Sequence, residues 1–413
     1  MQTPLDRFYR YIALDTASSE DSDATPSTQS QIQLANLLVE ELRQLGLENV
    51  QVDDKCYVVA TLPTNQTRPQ HEVPVVGLIA HMDVSCAAPA ANIKPRAITY
   101  SGGDITLENG VVIVATEEMK KLVGHELIVT DGTTLLGADD KAGIAAIMTA
   151  LERLIQSNDP RPTIRVCFTP DEEIGRGADH FDVQKFDADC AYTVDGGPGG
   201  EINAETFTAD YAVLTVNGVD VHPGEAKDTM INASRVLAQI ISALPLDRTP
   251  ENTEGRQPFI HLYKMSGGVS KASAEFLLRA FDEKDRAENK AILERAVDAA
   301  MTPLCDVATS ELTVTQQYLN MGYFLKDAPE PLLALEQAVK NVGLQPVWIA
   351  IRGGTDGSRL TEMGLPTPNI FTGGRNFHSV MEFLDVQENE LATQTLVELA
   401  KIWATKKPLR NKD

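Results

Sequence analysis

Two kinds of hydrophobic pattern alternate over the first half of the chain. Residues 31–45 carry Ile32, Leu34, Ala35, Leu38, Leu42 and Leu45 at three- and four-residue spacings, which predicts an amphipathic helix that Gly46 can end. Residues 73–80, VPVVGLIA, form a nearly unbroken apolar run, the pattern of a strand buried on both faces in a parallel sheet. Residues 137–155 read as a turn feeding a helix, and 163–169 and 191–194 as two further buried strands. Strands separated by helices predict an α/β domain.

From Ala209 the pattern changes. Residues 211–217 alternate like a half-exposed strand, and 230–244 set Val236, Leu237, Ile240, Ile241 and Leu244 on one helical face. Strand patterns at 259–265 and 274–281, a charged helix at 285–301 and a strand at 311–319 complete a βαββαβ order, the ferredoxin-like arrangement. Helix 331–342, strands 347–351 and 369–371 and helix 386–404 then restore the α/β character. The expected fold is a discontinuous α/β catalytic domain, 1–208 and 320–413, with a mainly parallel central sheet flanked by helices. A ferredoxin-like module, 209–319, is inserted into it as a lid or dimerisation element.

Composition narrows the partners. Lys+Arg 36 against Asp+Glu 59 leaves a formal charge of −23, a field that repels nucleic acid and anionic membrane surfaces, so neither is an expected partner. No apolar run approaches the roughly 18 residues of a membrane span. The cysteines, Cys56, Cys86, Cys167, Cys190 and Cys305, are scattered and never in a C-x-x-C pair, which favours reduced thiols. The opening MQTPLDRFYR has no basic stretch before an apolar core, so the expected compartment is the cytoplasm.

The candidate chemistry follows the predicted strands. His81-Met82-Asp83 comes after VPVVGLIA, Asp139-Asp140-Lys141 precedes a helix, Asp171-Glu172-Glu173 comes after TIRVCFTP, Asp195-Gly196-Gly197 after CAYTV, and His378 lies in GGRNFHS. In an open parallel sheet the strand carboxyl ends share one edge, where ligands bind. Taken singly, each cluster reads as a hydrogen-bonded pair, a helix cap or a surface charge pair; their common place relative to the sheet argues for convergence. Imidazole and carboxylate donors without thiolate suit Zn²⁺, Mn²⁺ or Co²⁺. Five ligands, His81, Asp139, Glu173, Asp195 and His378, exceed the needs of one ion. Two dications bridged by hydroxide would balance the three carboxylates to zero net charge. Phosphate-loop, G-x-S-x-G, H-E-x-x-H and G-x-G-x-x-G patterns are absent, so nucleotide, serine-hydrolase and single-zinc protease readings lose their support.

The strings HMDVS, TDGTTLLGADDKAGIA, FTPDEEIGRGADHFD, YTVDGG, VHPGEAKDTMINA, IRGGTDGSRL, MGLPTPNIFTGG and FH…EF resemble the peptidase T branch of the co-catalytic dizinc metallopeptidases. That tripeptide aminopeptidase branch is related to carboxypeptidase G, dipeptidase V and aminoacylase, and the similarity runs from about Phe8 to the last helix. HMDVS departs from the HVDTS of the family, and RNFHSVMEF from its YNYHGKHEF-like string, with the proposed ligands intact. The resemblance implies an exopeptidase on short peptides with two divalent ions, Zn or alternatively Co or Mn. It makes Asp139 the bridging ligand, His81 and Asp195 ligands of different ions, and Glu173 and His378 ligands on separate metals. It makes Glu172 the general base and Asp83 the partner of His81; positions i and i+2 of a strand share a face, so Asp83 can reach that imidazole. His222 of VHPG would serve the oxyanion, from the same or a partner subunit of a homodimer, or is merely a turn residue. Arg279 and Arg352 are candidates for a substrate carboxylate or for structural ion pairs. Alternative readings keep the metals but make the enzyme a carboxypeptidase, dipeptidase or N-acyl-amino-acid deacylase, or make the protein a non-catalytic peptide binder.

Overall fold

In the computed structural model, which describes residues 2–409, the apolar run at 73–80 becomes the strand Val75–His81, buried at every position. It starts after Pro74, which has no N–H to give a ladder. The strand lies parallel between Thr163–Thr169 and Cys190–Gly196, and Asn369–Phe371 extends the parallel block. Burial on both faces explains why these segments read as apolar runs and not as alternations. The full sheet has eight strands in the order Glu48–Val52, Val58–Leu62, Thr163–Thr169, Val75–His81, Cys190–Gly196, Asn369–Phe371, Glu201–Thr206, Val347–Ile351. Antiparallel pairing enters only toward its edges, where Glu48–Val52 meets Val58–Leu62, Val58–Leu62 meets Thr163–Thr169, and Glu201–Thr206 meets Asn369–Phe371.

The helix Ala138–Gln156 packs across the strands Val75–His81 and Cys190–Gly196, with Pro4–Ile12 and Val386–Ala404 against its other sides. It is apolar nearly all round, as a helix covered on several sides must be. At Gly143 it presses so close to the sheet that an added Cβ would stand 1.8 Å from the Val194 carbonyl oxygen. A smaller antiparallel sheet, not foreseen from the sequence, joins Arg96–Thr99, Glu126–Val129, Phe383–Asp385 and Gly374–Arg375. Its last two strands bracket the turn that carries His378.

The chain divides into two compact units, the second comprising Glu205–Tyr323 and Ala350–Gly354 and the first the remainder. The second unit holds a four-stranded antiparallel sheet in the order Phe259–Gly267, Lys271–Ala280, Thr208–Asn217, Thr309–Tyr318, with helices Ala233–Ser242 and Glu283–Met301. This is the ferredoxin-like strand order. Lys271–Ala280 buries every second residue, and Ala272, Ala274, Phe276 and Leu278 pack against Leu237, Ile240, Leu293 and Val297 of the helices. Asn232 and Asp282 cap the helices by accepting from Arg235 and Asp285 N–H. No described helix is long and apolar enough to cross a membrane, and no cysteine forms a disulfide.

Exchanging glycine for alanine inside a helix ordinarily stabilises it by about 1 kcal/mol. At Gly143 the sign should reverse, because the methyl group meets backbone: Gly143→Ala is expected to lose about 1–3 kcal/mol, the usual overpacking range. Denaturant unfolding of the purified variant checks this, and a gain in stability would contradict the packing described.

Candidate metal centre

The strand ends deliver the candidate ligands to one place in the first unit. His81 is the last residue of its strand, and Asp139 stands at the start of the long helix. Their side chains meet with His81 Nε2 2.9 Å from Asp139 Oδ1, and Asp195 Oδ1, from the adjacent strand, lies 3.6 Å from the same nitrogen. On the other side His378 Nε2 is 3.1 Å from Asp139 Oδ2 and 2.7 Å from Glu173 Oε2. Two ligand groups result, His81 with Asp139 and Asp195, and His378 with Asp139 and Glu173, and Asp139 belongs to both.

A set of carboxylates that are not ligands holds these segments in place. Asp83 accepts from the Glu172 and Glu173 amides at 3.0 and 3.1 Å, which binds the Glu172-Glu173 turn to the His81 strand. Asp83 also reaches His81 as expected, although the strand ends at His81: Nδ1 lies 3.4 Å from the Asp83 carboxylate and 3.1 Å from its carbonyl oxygen. Asp140 accepts from the His81 and Gly143 amides, both at 3.2 Å. Asp171 receives the Ser27 amide and hydroxyl and the Gln31 side-chain amide, so the loop before Glu172 is tied to the 27–31 segment. Glu382, buried in the His378 hairpin, accepts from the amides of Leu136, Gly137 and Asp139 at 2.7, 2.9 and 3.0 Å. The sequence reading assigned no role to Asp140, Asp171 or Glu382. Their signal was position: each lies within or beside a motif that supplies a ligand.

The electrostatics follow from crowding acids in a buried space. Burial, and then the charge of Asp139, pushes Asp195 up to about 7 and Glu173 up to about 8. Burial also raises Glu172 well above the carboxylate range, with Asp195, Asp356 and Glu173 adding to it. Hydrogen bonds to Asp139 and Glu173 lift His378 to about 11. For His81 burial opposes protonation, yet Asp195, Asp139 and Asp83 outweigh it and raise the imidazole well above its ordinary value. Asp139 moves the other way: burial would raise it, but the two histidines hold it below the usual range. Glu173 Oε1 is buried with no hydrogen-bond partner. An orphaned buried oxygen, two imidazoles and three carboxylates form a donor set that fits divalent cations.

The other expected residues are placed as follows. The Glu172 carboxylate makes no hydrogen bond among the described residues and borders the cluster electrostatically. His222 is exposed in the second unit before the turn Pro223–Glu225, where its Nδ1 accepts from the Gly224 amide at 3.2 Å. Arg279 donates to the Asp210 and Leu278 carbonyls and to Gln317. Arg352 donates to the Gly255 and Gln257 carbonyls and the Thr253 hydroxyl and lies over the rings of Phe207 and Phe259. Neither arginine pairs with a carboxylate among the described residues, so the ion-pair alternative is not what the structure shows.

Comparison with known proteins gives the family and the fold. Residues 114–402 match the family described as Peptidase family M20/M25/M40. A protein named Peptidase T from Clostridium novyi is 44% identical over 98% of this chain and 100% of its own length. Among solved structures, a tripeptidase from Staphylococcus aureus shares the fold with TM-score 0.76 at 24% identity, covering 98% of this chain and 99% of that one. A Bacillus subtilis protein described as a dinuclear metal-binding peptidase does so with TM-score 0.63 at 16% identity, over 97% of each chain.

Metal binding should be pH-linked. In the metal-free protein Asp195, Glu173 and both histidines have raised pKa values, so at neutral pH they hold protons that a cation must displace. Apparent affinity is therefore expected to fall as pH falls, by about tenfold per pH unit for each proton displaced. Adding Zn²⁺ to metal-free protein in weak buffer should release more than one proton per chain. Affinity independent of pH between 6 and 8 would contradict the charge assignment.

Proposed function

The chain belongs to peptidase family M20/M25/M40, and from that premise we propose that it is a two-metal aminopeptidase that releases the N-terminal residue of short peptides, chiefly tripeptides. The observation that carries this reading is the sharing of Asp139 between two ligand groups, beside a Glu172 carboxylate that no backbone group engages. The near-full-length likeness to Peptidase T supports the substrate class.

In this reading His81, Asp139, Asp195, Glu173 and His378 would hold two divalent ions, Zn²⁺ with Co²⁺ or Mn²⁺ as alternatives. When bound they supply Lewis acidity toward the scissile carbonyl and make water a stronger acid. Glu172 takes the proton of the attacking water and returns it to the departing amine nitrogen, so the carboxylate is regenerated in each cycle. Burial raises its proton affinity, which makes it a better base for that proton than an exposed carboxylate. Asp83 keeps Glu172 and Glu173 in register with His81 through their amides. His222 is the proposed donor to the developing oxyanion, and Arg279 and Arg352 are the proposed partners of the substrate's C-terminal carboxylate. A cytoplasmic location completes the proposal, supported by five cysteines without a disulfide.

Glu172→Gln keeps the size of the side chain and removes the base. Its kcat on Ala-Ala-Ala should fall by about two to four orders of magnitude while bound metal stays near the wild-type level. Turnover near wild type would reject the assignment.

A side-by-side comparison separates the imidazoles. His378→Ala should lose metal affinity, since it deletes a ligand nitrogen. His222→Ala should keep its ions and lose about 10²- to 10³-fold in kcat, the usual cost of one oxyanion donor. Metal analysis together with single-turnover rates distinguishes the two, and full activity in His222→Ala would leave that residue a turn histidine.

A further inference from the structure

An enzyme that cuts after the first residue must seat a positive charge beside its reacting carbonyl, because the α-nitrogen is only two bonds from the carbonyl carbon. At neutral pH that amine is largely protonated. A carboxylate that receives it has to border the metal centre and have an oxygen to spare.

Six carboxylates that are not ligands surround the centre, and five are already committed. Asp83, Asp140, Asp171 and Glu382 spend their oxygens on the amides and side chains that fix the ligand segments. Glu172 is the proton carrier. Asp356, of the GGTDGS string, is the sixth. Its Oδ2 accepts from the Thr169 hydroxyl at 2.7 Å, while its Oδ1 makes no hydrogen bond among the described residues. Thr169 stands opposite His81 in the parallel ladder, so this bond fixes Asp356 next to the strand end that carries a ligand. Gly177, which has no side chain, lets this carboxylate lie close against its backbone: a Cβ there would stand 2.1 Å from Oδ1 and 2.5 Å from Oδ2.

Asp356 also opens the helix Asp356–Glu362, where an acid favours the dipole. That benefit is small beside the cost of burying a carboxylate that is only half engaged. Resting on the aminopeptidase reading, we propose that Asp356 binds the substrate's α-ammonium group through Oδ1 and so confines the enzyme to peptides with a free amino terminus. The contact is a charge-assisted hydrogen bond held in a buried, oriented site.

The test compares Ala-Ala-Ala with propionyl-Ala-Ala, which replaces the ammonium by hydrogen and keeps the scissile bond. Wild type should strongly prefer Ala-Ala-Ala. Asp356→Asn should lower kcat/KM for Ala-Ala-Ala by about 10- to 100-fold and leave that for propionyl-Ala-Ala and the metal content unchanged. Equal losses on the two substrates, or no loss on either, would overturn the proposal. If Asp356→Asn does not fold, Thr169→Val, which removes the bond that aims the carboxylate, should give a smaller loss confined to the free-amine substrate. An equal effect of Thr169→Val on both substrates would overturn the proposal in the same way. Wild-type enzyme that shows no preference for the free amine would instead overturn the aminopeptidase reading itself.

Discussion

Asp139 is the point on which the first unit turns. Its two oxygens face two histidines, one 58 residues earlier in the chain and one 239 later. A carboxylate buried among other carboxylates is unfavourable unless positive charge meets it on both sides. That requirement sets where the strand of His81 must end, where the long helix must begin and where the His378 hairpin must fold back. Gly143 serves the same end, because the helix that presents Asp139 can reach the strand edge only if it lies against Val194 without a side chain between them.

The acids that bind no metal explain how so much charge is held in register. An ionised carboxylate has four lone-pair directions and no donor, so it can gather several backbone N–H groups at once, where an amide side chain would oppose one of them with its own N–H. Glu382 uses this to join the His378 hairpin to the Asp139 segment, and Asp83 uses it to join the His81 strand to the Glu172-Glu173 turn. The His378 hairpin is thereby fastened to the Asp139 segment, and the His81 strand to the Glu172-Glu173 turn, by buried hydrogen bonds. Hydrogen bonds of this kind offset the desolvation of the clamping acids, but they do nothing for Glu173 Oε1, which has no partner. That oxygen is left for a cation that displaces the protons held nearby.

How much of this was legible depended on whether local sequence carried the constraint. The buried parallel strands announced themselves as apolar runs, and the inserted unit as alternation around two amphipathic helices, because period and burial are set residue by residue. The candidate ligands were legible because each follows a strand or opens a helix at the same sheet edge. The small sheet that carries His378 was not, since strands of two to four residues, such as Gly374–Arg375 and Phe383–Asp385, are too short to display a period. Nor were the tasks of Glu382 and Asp140, which are defined by amide groups that only the folded chain brings near. The contact of Asp83 with His81 was foreseen as a side-chain bond from strand geometry. The strand ends two residues before Asp83, yet its carboxylate still reaches the ring at 3.4 Å, with the carbonyl closer at 3.1 Å, while it also accepts from the neighbouring loop.

A dense acidic cluster is evidence of function only when its members can be told apart by what satisfies them. Here the sorting is by partner. Asp139, Asp195 and Glu173 face imidazoles in the geometry of ligands, whereas Asp83, Asp140, Asp171 and Glu382 face backbone and side-chain donors. Once both groups are set aside, two carboxylates keep an uncommitted oxygen, Glu172 and Asp356, and each is buried where an uncommitted charge is costly. In the proposed reading their partners arrive with the substrate: a proton in transit for one, an ammonium group for the other. In the proposed reading, the surplus of negative charge at this edge of the sheet is the means of recognising a small peptide by its positive end.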